Sequence, residues 1–547
     1  MSPLVAGSPL VLGPVLRRVS GGAATIWVQT AGPATVEVRA GKGHGAARTF
    51  TAFDRHFALV LVEGLTPGEV QPYQVVIDGE PVWPPADYPY PAPAVHTRTP
   101  DAPVRLVFGS CREASQRTTD DIPPDALDAY AVRLAEQLRS GPAGTAWPDQ
   151  LVLLGDQVYA DETSPVTGSW LRRHRRRRVR LDDPPGDQVA DFGEYCRLYL
   201  ESWTDPEIRW LLSTVPSVMI FDDHEIIDDW NTSAQWRTDM RALPWWSRRI
   251  TAGLASYWVF QHLGNLHPDD LATDRVYAAV QAAGDATGVL RDFGAAADTD
   301  RGSYRWSYRL DIGRTRIVVL DNRGGRVLTP GARRMLPDDD WAWFDALARG
   351  DGFDHLVVGS SLPWLLPPGV HHVEAAIERL AESPRRLVAA GAEKLRRGMD
   401  LEHWAAFGGS FEALSALLRQ LATTEALASI SVLSGDVHHS YVARPGWDPP
   451  VRVPVHQLTC SPVHNRIQAY LRPVFTAAWH RAGGALGRAI SRAAGVPAGP
   501  MHWDKLAGPY FTNAIATLTH GGRTARVLIE GTDRAGRLHR LVDQQLT

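Results

Sequence analysis

Residues 151–161 read LVLLGDQVYAD, and this stretch decides the fold class. Four apolar residues end abruptly in a glycine, which is followed by Asp156, Tyr159 and Asp161. Short apolar runs of this kind are typical of strands buried on both faces of a sheet. Functional side chains collect at the carboxyl ends of such strands. The stretch therefore predicts a buried strand that leads directly into a functional site.

The same pattern recurs along the chain, and helical stretches at 125–139 and 339–349 lie between the repeats. Alternation of strands and helices predicts an α/β fold with a mixed sheet. The recurring stretches are VRLVFGSC (104–111), SVMIFDDHE (217–225), RIVVLDNRG (316–324), HLVVGSS (355–361) and SVLSGDVHHS (431–440).

The regions on either side of this pattern differ from it. Residues 1–95 are rich in β-branched and aromatic residues between glycines and prolines, which predicts a small antiparallel β-sandwich domain. A proline-rich linker follows, and residues 103–547 are predicted to form one catalytic domain. Two arginine-rich helical insertions, near 365–407 and 463–505, could cover the cleft as lids or pack as a peripheral helix pair.

Composition narrows the function classes. The 547 residues carry a net charge of −4, so no global field points to nucleic acid or an anionic membrane. No apolar run is long enough for a transmembrane helix. Only three cysteines are present, which suits a reducing compartment. Arg17 and Arg18 resemble a twin-arginine pair, but no apolar segment follows. We therefore expect a cytoplasmic protein, or a secreted one if a leader precedes this sequence.

Candidate metal ligands follow four of the predicted strands. Each residue alone has an ordinary structural explanation, such as a buried thiol, a turn-capping carboxylate or a surface histidine. Neighbouring strands lie about 4.8 Å apart, so four such ends can converge on one centre. The joint pattern predicts a metal site built from Cys111, Asp156, Tyr159, Asp222, Asp223, His224, Asp436, His438 and His439.

The donor types indicate which ions such a site would hold. Residues i and i+2 of an extended segment share a face, so Asp436 and His438 can both point inward while His439 faces elsewhere. Thiolate, phenolate and imidazole suit a transition metal, and a phenolate favours ferric iron over zinc. Carboxylates suit a harder ion such as Ca²⁺, Mg²⁺ or Mn²⁺.

In combination, GSC, GDQVYAD, DDHE and GDVHHS resemble the PhoD-like (alkaline phosphatase D) family of the calcineurin-like metallophosphoesterases. Residues 13–30, GPVLRRVSGGAATIWVQT, resemble that family's N-terminal immunoglobulin-like domain. The resemblance covers nearly the whole chain. It implies a four-layer αββα sandwich preceded by a small all-β immunoglobulin-like sandwich. It also implies Fe³⁺ plus a divalent ion, with Ca²⁺ favoured over Mn²⁺, Mg²⁺ or Zn²⁺.

The resemblance also implies ligand roles. Asp156 would bridge the two ions, and Asp223 and Asp436 would complete the divalent site. Asp223 stands where the wider superfamily has Asn, and Asp436 stands where it has His, which favours a hard second ion. The iron ligands would be Cys111, Asp156, Tyr159 and His438. Residues that could add outer contacts or an extra metal are Asp222, Asn231, Asn322 and His439.

A binuclear centre of this kind implies a phosphoric ester hydrolase of the alkaline phosphatase or phosphodiesterase type. A metal-bound hydroxide would attack phosphorus. Arg323 is the candidate phosphate clamp, and His224 would contact the phosphoryl group or protonate the leaving oxygen. The arginine run at 172–180 could attract polyanions or form a solvated loop.

Two alternatives remain open at this point. The same centre could serve a phospholipase-D-like or nucleotide-cleaving phosphodiesterase. The chain could also be a non-catalytic binding protein whose β-sandwich is an interaction module. The expected partner is a small-molecule phosphate ester, and nucleic acid is expected only as a substrate. The sequence does not indicate the oligomeric state.

Overall fold

The first hundred residues form an all-β, antiparallel unit in this computed structural model, which describes residues 7–114, 122–141, 146–175, 183–424, 426–499 and 501–547. Its strand order is β1-β2-β6-β4-β3-β7-β8, with β5 on β6 and β9 on β7. The strands are β1 Leu10–Ser20, β2 Ala23–Thr30, β3 Thr35–Ala40, β4 Gly43–Arg48, β5 Phe50–Ala52, β6 Arg55–Glu63, β7 Val70–Ile77, β8 Glu80–Trp83 and β9 Ala94–His96.

Period-two burial explains these strands. In β3, Val36, Val38 and Ala40 are buried while Thr35 and Arg39 are exposed, as expected for a sheet with one solvent face. This unit is packed tightly against the rest of the chain. The buried Arg17 guanidinium donates to the Gln261 carbonyl at 2.6 Å and to Asn265 Oδ1 at 3.0 Å. The immunoglobulin-like topology and the domain boundaries remain predictions.

Two further sheets follow, and together with the helices they confirm the mixed α/β class. Their orders are β12-β11-β10-β20-β21-β22 and β13-β14-β15-β16-β18-β17-β19. The strands are β10 Val104–Gly109, β11 Gln150–Leu154, β12 Ser217–Ile220, β13 Tyr308–Ile312, β14 Thr315–Leu320, β15 His355–Ser360, β16 Ser429–Ser434, β17 Ser440–Trp447, β18 Val455–Thr459, β19 Met501–Tyr510, β20 Ala514–Gly521, β21 Thr524–Thr532 and β22 Leu538–Gln545.

The parallel strands of both sheets point their carboxyl ends toward the same region. β10, β11 and β12 are parallel in one sheet, and β14, β15 and β16 are parallel in the other. The sheets meet closely there, because a Cβ on Gly435 would lie 2.0 Å from Ser110 Oγ. All six apolar stretches singled out in the sequence form these strands, so the strand prediction is confirmed.

The helices occupy the connections between strands. The predicted helices at 125–139 and 339–349 correspond to α1 and α10. α1 packs on β20, β21 and β22, and α13 packs on β16. The helices are α1 Ala126–Ser140, α2 Pro165–Arg175, α3 Phe192–Trp203, α4 Pro206–Thr214, α5 Ala234–Arg241, α6 Trp246–Tyr257, α7 Pro268–Thr273, α8 Arg275–Ala282, α9 Thr287–Thr299, α10 Asp338–Ala348, α11 Pro368–Ala381, α12 Arg386–Gly398, α13 Gly408–Thr423, α14 Leu471–Ala478 and α15 Arg481–Ala493.

The two predicted helical insertions contain α11 with α12 and α14 with α15. The second prediction extends too far, because β19 begins at Met501 and pairs with β17. Among the described residues, no helix has the length and apolar character needed to cross a membrane.

Candidate metal centre

The candidate centre lies where the chain turns sharply after the central strands. Cys111 follows β10, Asp156 follows β11, and Asp436 and His438 follow β16. All four have positive φ angles, between 49° and 66°, which non-glycine residues rarely adopt. Backbone strain of this kind costs about 1–3 kcal/mol per residue and clusters at functional sites. After these turns, Cys111 contacts Asp156, and Asp156 and Asp436 lie in one cluster of carboxylates.

Four carboxylates form the core of the centre, and three of them are buried while Asp436 is partly exposed. Asp156, Asp222, Asp223 and Asp436 each place one oxygen so that all four oxygens lie within 4.8 Å of one another. Within the described residues, Asp156 Oδ1, Asp222 Oδ2 and Asp223 Oδ1 have no hydrogen-bond partner. Burial raises the pKa of Asp156 and of Asp222 well above the usual range. The donor set fits hard cations, which would supply the missing partners.

Arg323 is the main protein cation in this cluster. Its guanidinium is fully buried, pairs closely with Asp222 and Glu402, and lies 3.3 Å from Asp223. Burial alone would lower the pKa of Arg323, but Asp222 and Asp223 outweigh it and raise the pKa. The side chain is thus engaged with carboxylates rather than presented at an open surface. Its predicted role as a phosphate clamp remains a prediction.

A buried Glu374–His403 pair holds Asp436. His403 Nε2 lies 2.9 Å from Asp436 Oδ2, and the His403 backbone amide donates to Glu374 Oε1 at 2.6 Å. Burial alone would raise the pKa of Asp436, but His403 lowers it to about 2. Sequence analysis did not identify His403, Glu402 or Glu374. They come from an insertion that has no recognisable spacing relative to the strand-end motifs.

The predicted iron ligands lie on the other side of Asp156. Cys111 Sγ is 3.3 Å from Asp156 Oδ2 and 3.4 Å from Ser461 Oγ. Burial raises the pKa of Cys111 to about 12. The Tyr159 hydroxyl accepts a hydrogen bond from Asn465 Nδ2 at 2.8 Å. Burial first, and then Asp156 and Cys111, raise the pKa of Tyr159.

His438 is the remaining predicted iron ligand. Its Nδ1 lies 2.9 Å from the Arg466 carbonyl, so Nε2 is the nitrogen left for a metal. Burial lowers the pKa of His438, which favours the neutral ring that metals bind. In the described residues, neither Cys111 nor His438 joins a group of three or more His, Cys, Asp or Glu ligand atoms within 4.8 Å.

His224 lies at the edge of the centre against Asp161. Its Nδ1 is 2.9 Å from Asp161 Oδ1, and its ring lies 4.7 Å from that of Tyr159. Burial alone would lower the pKa of His224, but Asp161 and Asp223 raise it well above the usual range. His224, Asp223 and Asp228 also form a second group of closely spaced ligand atoms.

The remaining predicted residues contact protein groups. Asn322 donates to Ser360 Oγ at 2.7 Å and accepts from Ser361 Oγ at 2.7 Å, so both ends of its amide are engaged. Asn231 donates to the Arg323 carbonyl at 3.1 Å. The buried His439 places Nδ1 2.6 Å from the Val437 carbonyl. These contacts fix the loops around the centre.

Only part of the arginine run at 172–180 falls within the described residues. Arg175 pairs with Glu194 at 2.6 Å, and Arg172 pairs with Asp187. Residues 176–180 lie outside the described part of the chain, so the role of the run remains a prediction.

Part of the chain that contains the candidate site matches a known protein family. Residues 138–288, which include Asp156, Tyr159, Asp223 and His224, match the family model described as PhoD-like phosphatase. Over residues 138–288 the chain is therefore similar to the PhoD-like phosphatases, and this match supports a phosphoric ester hydrolase. Residues 7–95 match a second model, described as a domain of unknown function.

Comparison with a solved structure supports the fold. A structure titled "Structure of PhoD" covers 100% of this chain and 94% of its own, at 12% identity and a TM-score of 0.56. A purple acid phosphatase from yellow lupin (Lupinus luteus) seeds covers 96% of this chain and 73% of its own, at 10% identity and a TM-score of 0.46. No curated protein sequence gives a significant match to the chain.

Proposed function

We propose that this protein hydrolyses small-molecule phosphate esters at a binuclear metal centre. The observation that carries the proposal is the group of four clustered carboxylates. Within the described residues, Asp156 Oδ1 and Asp222 Oδ2 have no hydrogen-bond partner, and Asp223 Oδ1 lies 3.3 Å from the Arg323 guanidinium. These carboxylates and Glu402 outnumber the cations that contact them, which are Arg323, Arg326 and His403. Uncompensated buried negative charge is very costly, so bound cations are the natural complement.

The two sides of Asp156 differ in chemistry, which supports two different ions. Thiolate, phenolate and imidazole donors suit Fe³⁺, whereas a purely carboxylate set suits a hard divalent ion, Ca²⁺ above all. Asp156 would bridge them, and Asp223 and Asp436 would hold the divalent ion. The iron ligands would be Cys111, Asp156, Tyr159 and His438. When bound, the ions would supply an activated water and positive charge for the phosphoryl oxygens.

Protein groups would orient and move protons around that centre. Asp161 holds His224 through Nδ1, which leaves Nε2 to donate a proton to the departing oxygen. The Glu374–His403 pair fixes the orientation of Asp436. Arg323 would keep Asp222, Asp223 and Glu402 in place, a role that its complete burial favours over direct contact with phosphate.

Hydrolysis of nitrophenyl phosphate and bis(nitrophenyl) phosphate tests this proposal. The full-length chain should hydrolyse at least one of the two esters when loaded with iron and calcium. A chelator should abolish the activity, and added metal should restore it. The Asp156→Asn variant should lose activity and both ions, because Asp156 would hold both of them. Retained activity in fully metal-free protein would contradict the proposal, and inactivity of the loaded protein on both esters would favour the binding-protein alternative.

A further inference from the structure

A cavity of about 990 Å³ lies between the two helical insertions and the edge of the seven-stranded sheet. None of the predicted metal ligands lines it. One face of α13 lines the cavity along the full length of the helix. The lining residues on this face recur every three or four positions from Gly408 to Thr423. At 1.5 Å per residue this face is about 22 Å long. A face of this length is long enough for an extended chain.

The floor of the cavity is largely aromatic and contains one unsatisfied polar group. Trp447, Trp503 and Phe411 line it. His371 lies between two of these rings, with centroids 4.6 Å from Phe411 and 4.7 Å from Trp503. Only 6% of His371 is exposed, and its Nδ1 has no hydrogen-bond partner within the described residues. A buried ring nitrogen without a partner on a cavity wall calls for a ligand or a water.

One wall of the cavity carries unpaired positive charge. Arg488 and Arg492 lie one turn apart on α15, so their side chains share a face. In the described part of the chain, neither forms an ion pair. Both lie near His372, because both help burial to lower its pKa to about 4. Glu412 is the one acidic side chain among the lining residues, against Arg419, Arg488 and Arg492. The cavity therefore favours an anion.

We propose that this cavity binds a single-chain amphipathic anion, with an alkyl chain over the aromatic floor of Phe411, Trp447 and Trp503 and a carboxylate or phosphate head on Arg488 and Arg492. Small-molecule sites usually combine apolar and aromatic walls with a few polar groups. Arginine is the side chain best suited to grip carboxylate or phosphate oxygens. The site is separate from the metal centre and does not depend on the proposed reaction.

Isothermal titration of the full-length chain with dodecanoate and with dodecyl phosphate, both below their aggregation concentrations, tests the site. We expect saturable binding of at least one of them with one-to-one stoichiometry. The preferred head group identifies the source of the ligand as a fatty acid or as a phosphate-bearing lipid. Dodecan-1-ol should bind at least about tenfold more weakly, because a hydrogen bond to a charged group is worth about 1.5–3 kcal/mol. Equal affinity for the alcohol would overturn the assignment of the head group.

Two sets of variants locate the binding. The double variant Arg488→Gln with Arg492→Gln should weaken binding of the anion at least about tenfold. The matched double variant Arg472→Gln with Arg481→Gln removes two charges from the same insertion away from the lining, and should bind as the unmodified protein does. Ala416→Trp fills the channel and should abolish binding while the melting temperature is retained. Absence of saturable binding, or equal losses in the two double variants, would overturn the proposal.

Discussion

Backbone conformation, burial and side-chain contacts hold the individual side chains at the centre, in addition to their position after a strand. Cys111 has a strained backbone, is completely buried and contacts Asp156, Ser110 and Ser461. Burial raises the pKa of its thiol to about 12, so the free thiol would be unreactive near neutrality. A bound metal would instead take the thiolate form. This contrast makes Cys111 the sharpest probe of the proposed iron site.

We expect Cys111→Ser to lower iron affinity by more than about tenfold, because a hydroxyl is a poor ligand in place of a thiolate and loss of an outer contact alone already costs about that much. Visible absorption from thiolate and phenolate charge transfer to iron should weaken in parallel. Iron analysis and absorption spectra measure both effects. Cys196→Ser is the control, since Cys196 is a buried thiol outside the centre. Equal iron loss in the two variants would contradict the ligand assignment.

His403 provides a second probe at the residue scale. Replacing it with glutamine removes the cation that holds the pKa of Asp436 near 2 and shortens its hydrogen-bonding reach. We expect about 10–100-fold weaker affinity for the divalent ion with iron retained, as for loss of an outer contact to a ligand. Titration of the iron-loaded protein with calcium measures this affinity. The control variant His372→Gln, on α11 of the same insertion, should leave the calcium affinity unchanged.

The sequence predicted part of this centre and missed the rest for a physical reason. Asp156, Asp222, Asp223 and Asp436 were predictable because each directly follows an apolar strand, and strand ends converge. His403 and Glu402 follow α12 and precede a short turn at 404–406. Their position depends on how an insertion folds back onto the cleft, which no local pattern encodes. Asp161 was visible in GDQVYAD, but its contact with His224 required the three-dimensional structure.

At the scale of elements, the centre depends on how closely the ends of β10 and β16 approach. Gly435 follows β16, and any side chain there would overlap Ser110 after β10. The Asp436 backbone amide also donates to Ser110 Oγ at 3.1 Å. Close approach of the two strand ends therefore sets the position of Asp436. Glycine is needed here for space rather than for a positive φ.

The Gly435→Ala substitution should separate these strand ends. We expect a loss of about 1–3 kcal/mol in unfolding free energy, as for overpacking of a core, together with weaker binding of the divalent ion. Gly409→Ala is the matched control, because a Cβ at Gly409 meets nothing within 4 Å. In the helix α13 it should be neutral or stabilising by up to about 1 kcal/mol. Denaturant unfolding and metal titration of both variants give the comparison, and similar effects in the two would refute this account.

The sequence predicts strands and helices well where the apolar pattern is strong. It predicts them less well where pairing with a distant strand determines the structure. The six apolar runs form strands, because short runs of four to six consecutive apolar residues are typical of strands buried on both faces. The predicted bound of the second insertion, near 505, lies past Met501, yet β19 begins at Met501 and pairs with β17 at the sheet edge. Which strands pair across the two sheets also depends on contacts far apart in sequence. These contacts have no local signature.

At the scale of the whole molecule, the N-terminal β unit and the α/β part share a continuous buried interior. Trp27 of β2 contacts Trp203 at 5.8 Å and Phe260 at 5.3 Å between ring centroids. Close to this junction, His262 is completely buried and lies near Arg17. Its two ring nitrogens have no hydrogen-bond partner in the described part of the chain. Burial, with a smaller effect from Arg17, lowers the pKa of His262 to about 3.

This histidine should make the stability of the protein sensitive to acid. In the unfolded chain His262 binds a proton below about pH 6.5, whereas in the folded chain it stays neutral down to about pH 3. The unfolded state therefore binds more protons between these values, so stability falls as pH falls below 6.5. By proton linkage, His262 alone lowers the free energy of unfolding by about 2 kcal/mol at pH 5. Above about pH 7.5 the contribution vanishes, because both states are neutral.

His262→Phe removes the titrating group and keeps an aromatic ring in the same aromatic surroundings. Relative to the unmodified protein, the variant should gain about 2 kcal/mol in unfolding free energy between pH 7.5 and pH 5, whatever its stability at pH 7.5. Urea unfolding at the two pH values measures this difference, which separates the proton effect from any change in packing. His480→Phe, at an exposed position, should show the pH dependence of the unmodified protein. The opposite result would be an unfolding free energy that changes with pH equally in His262→Phe and in the unmodified protein. His262 would then have to be protonated in the folded state, with a hydrogen-bond partner for its ring at the junction of the two parts.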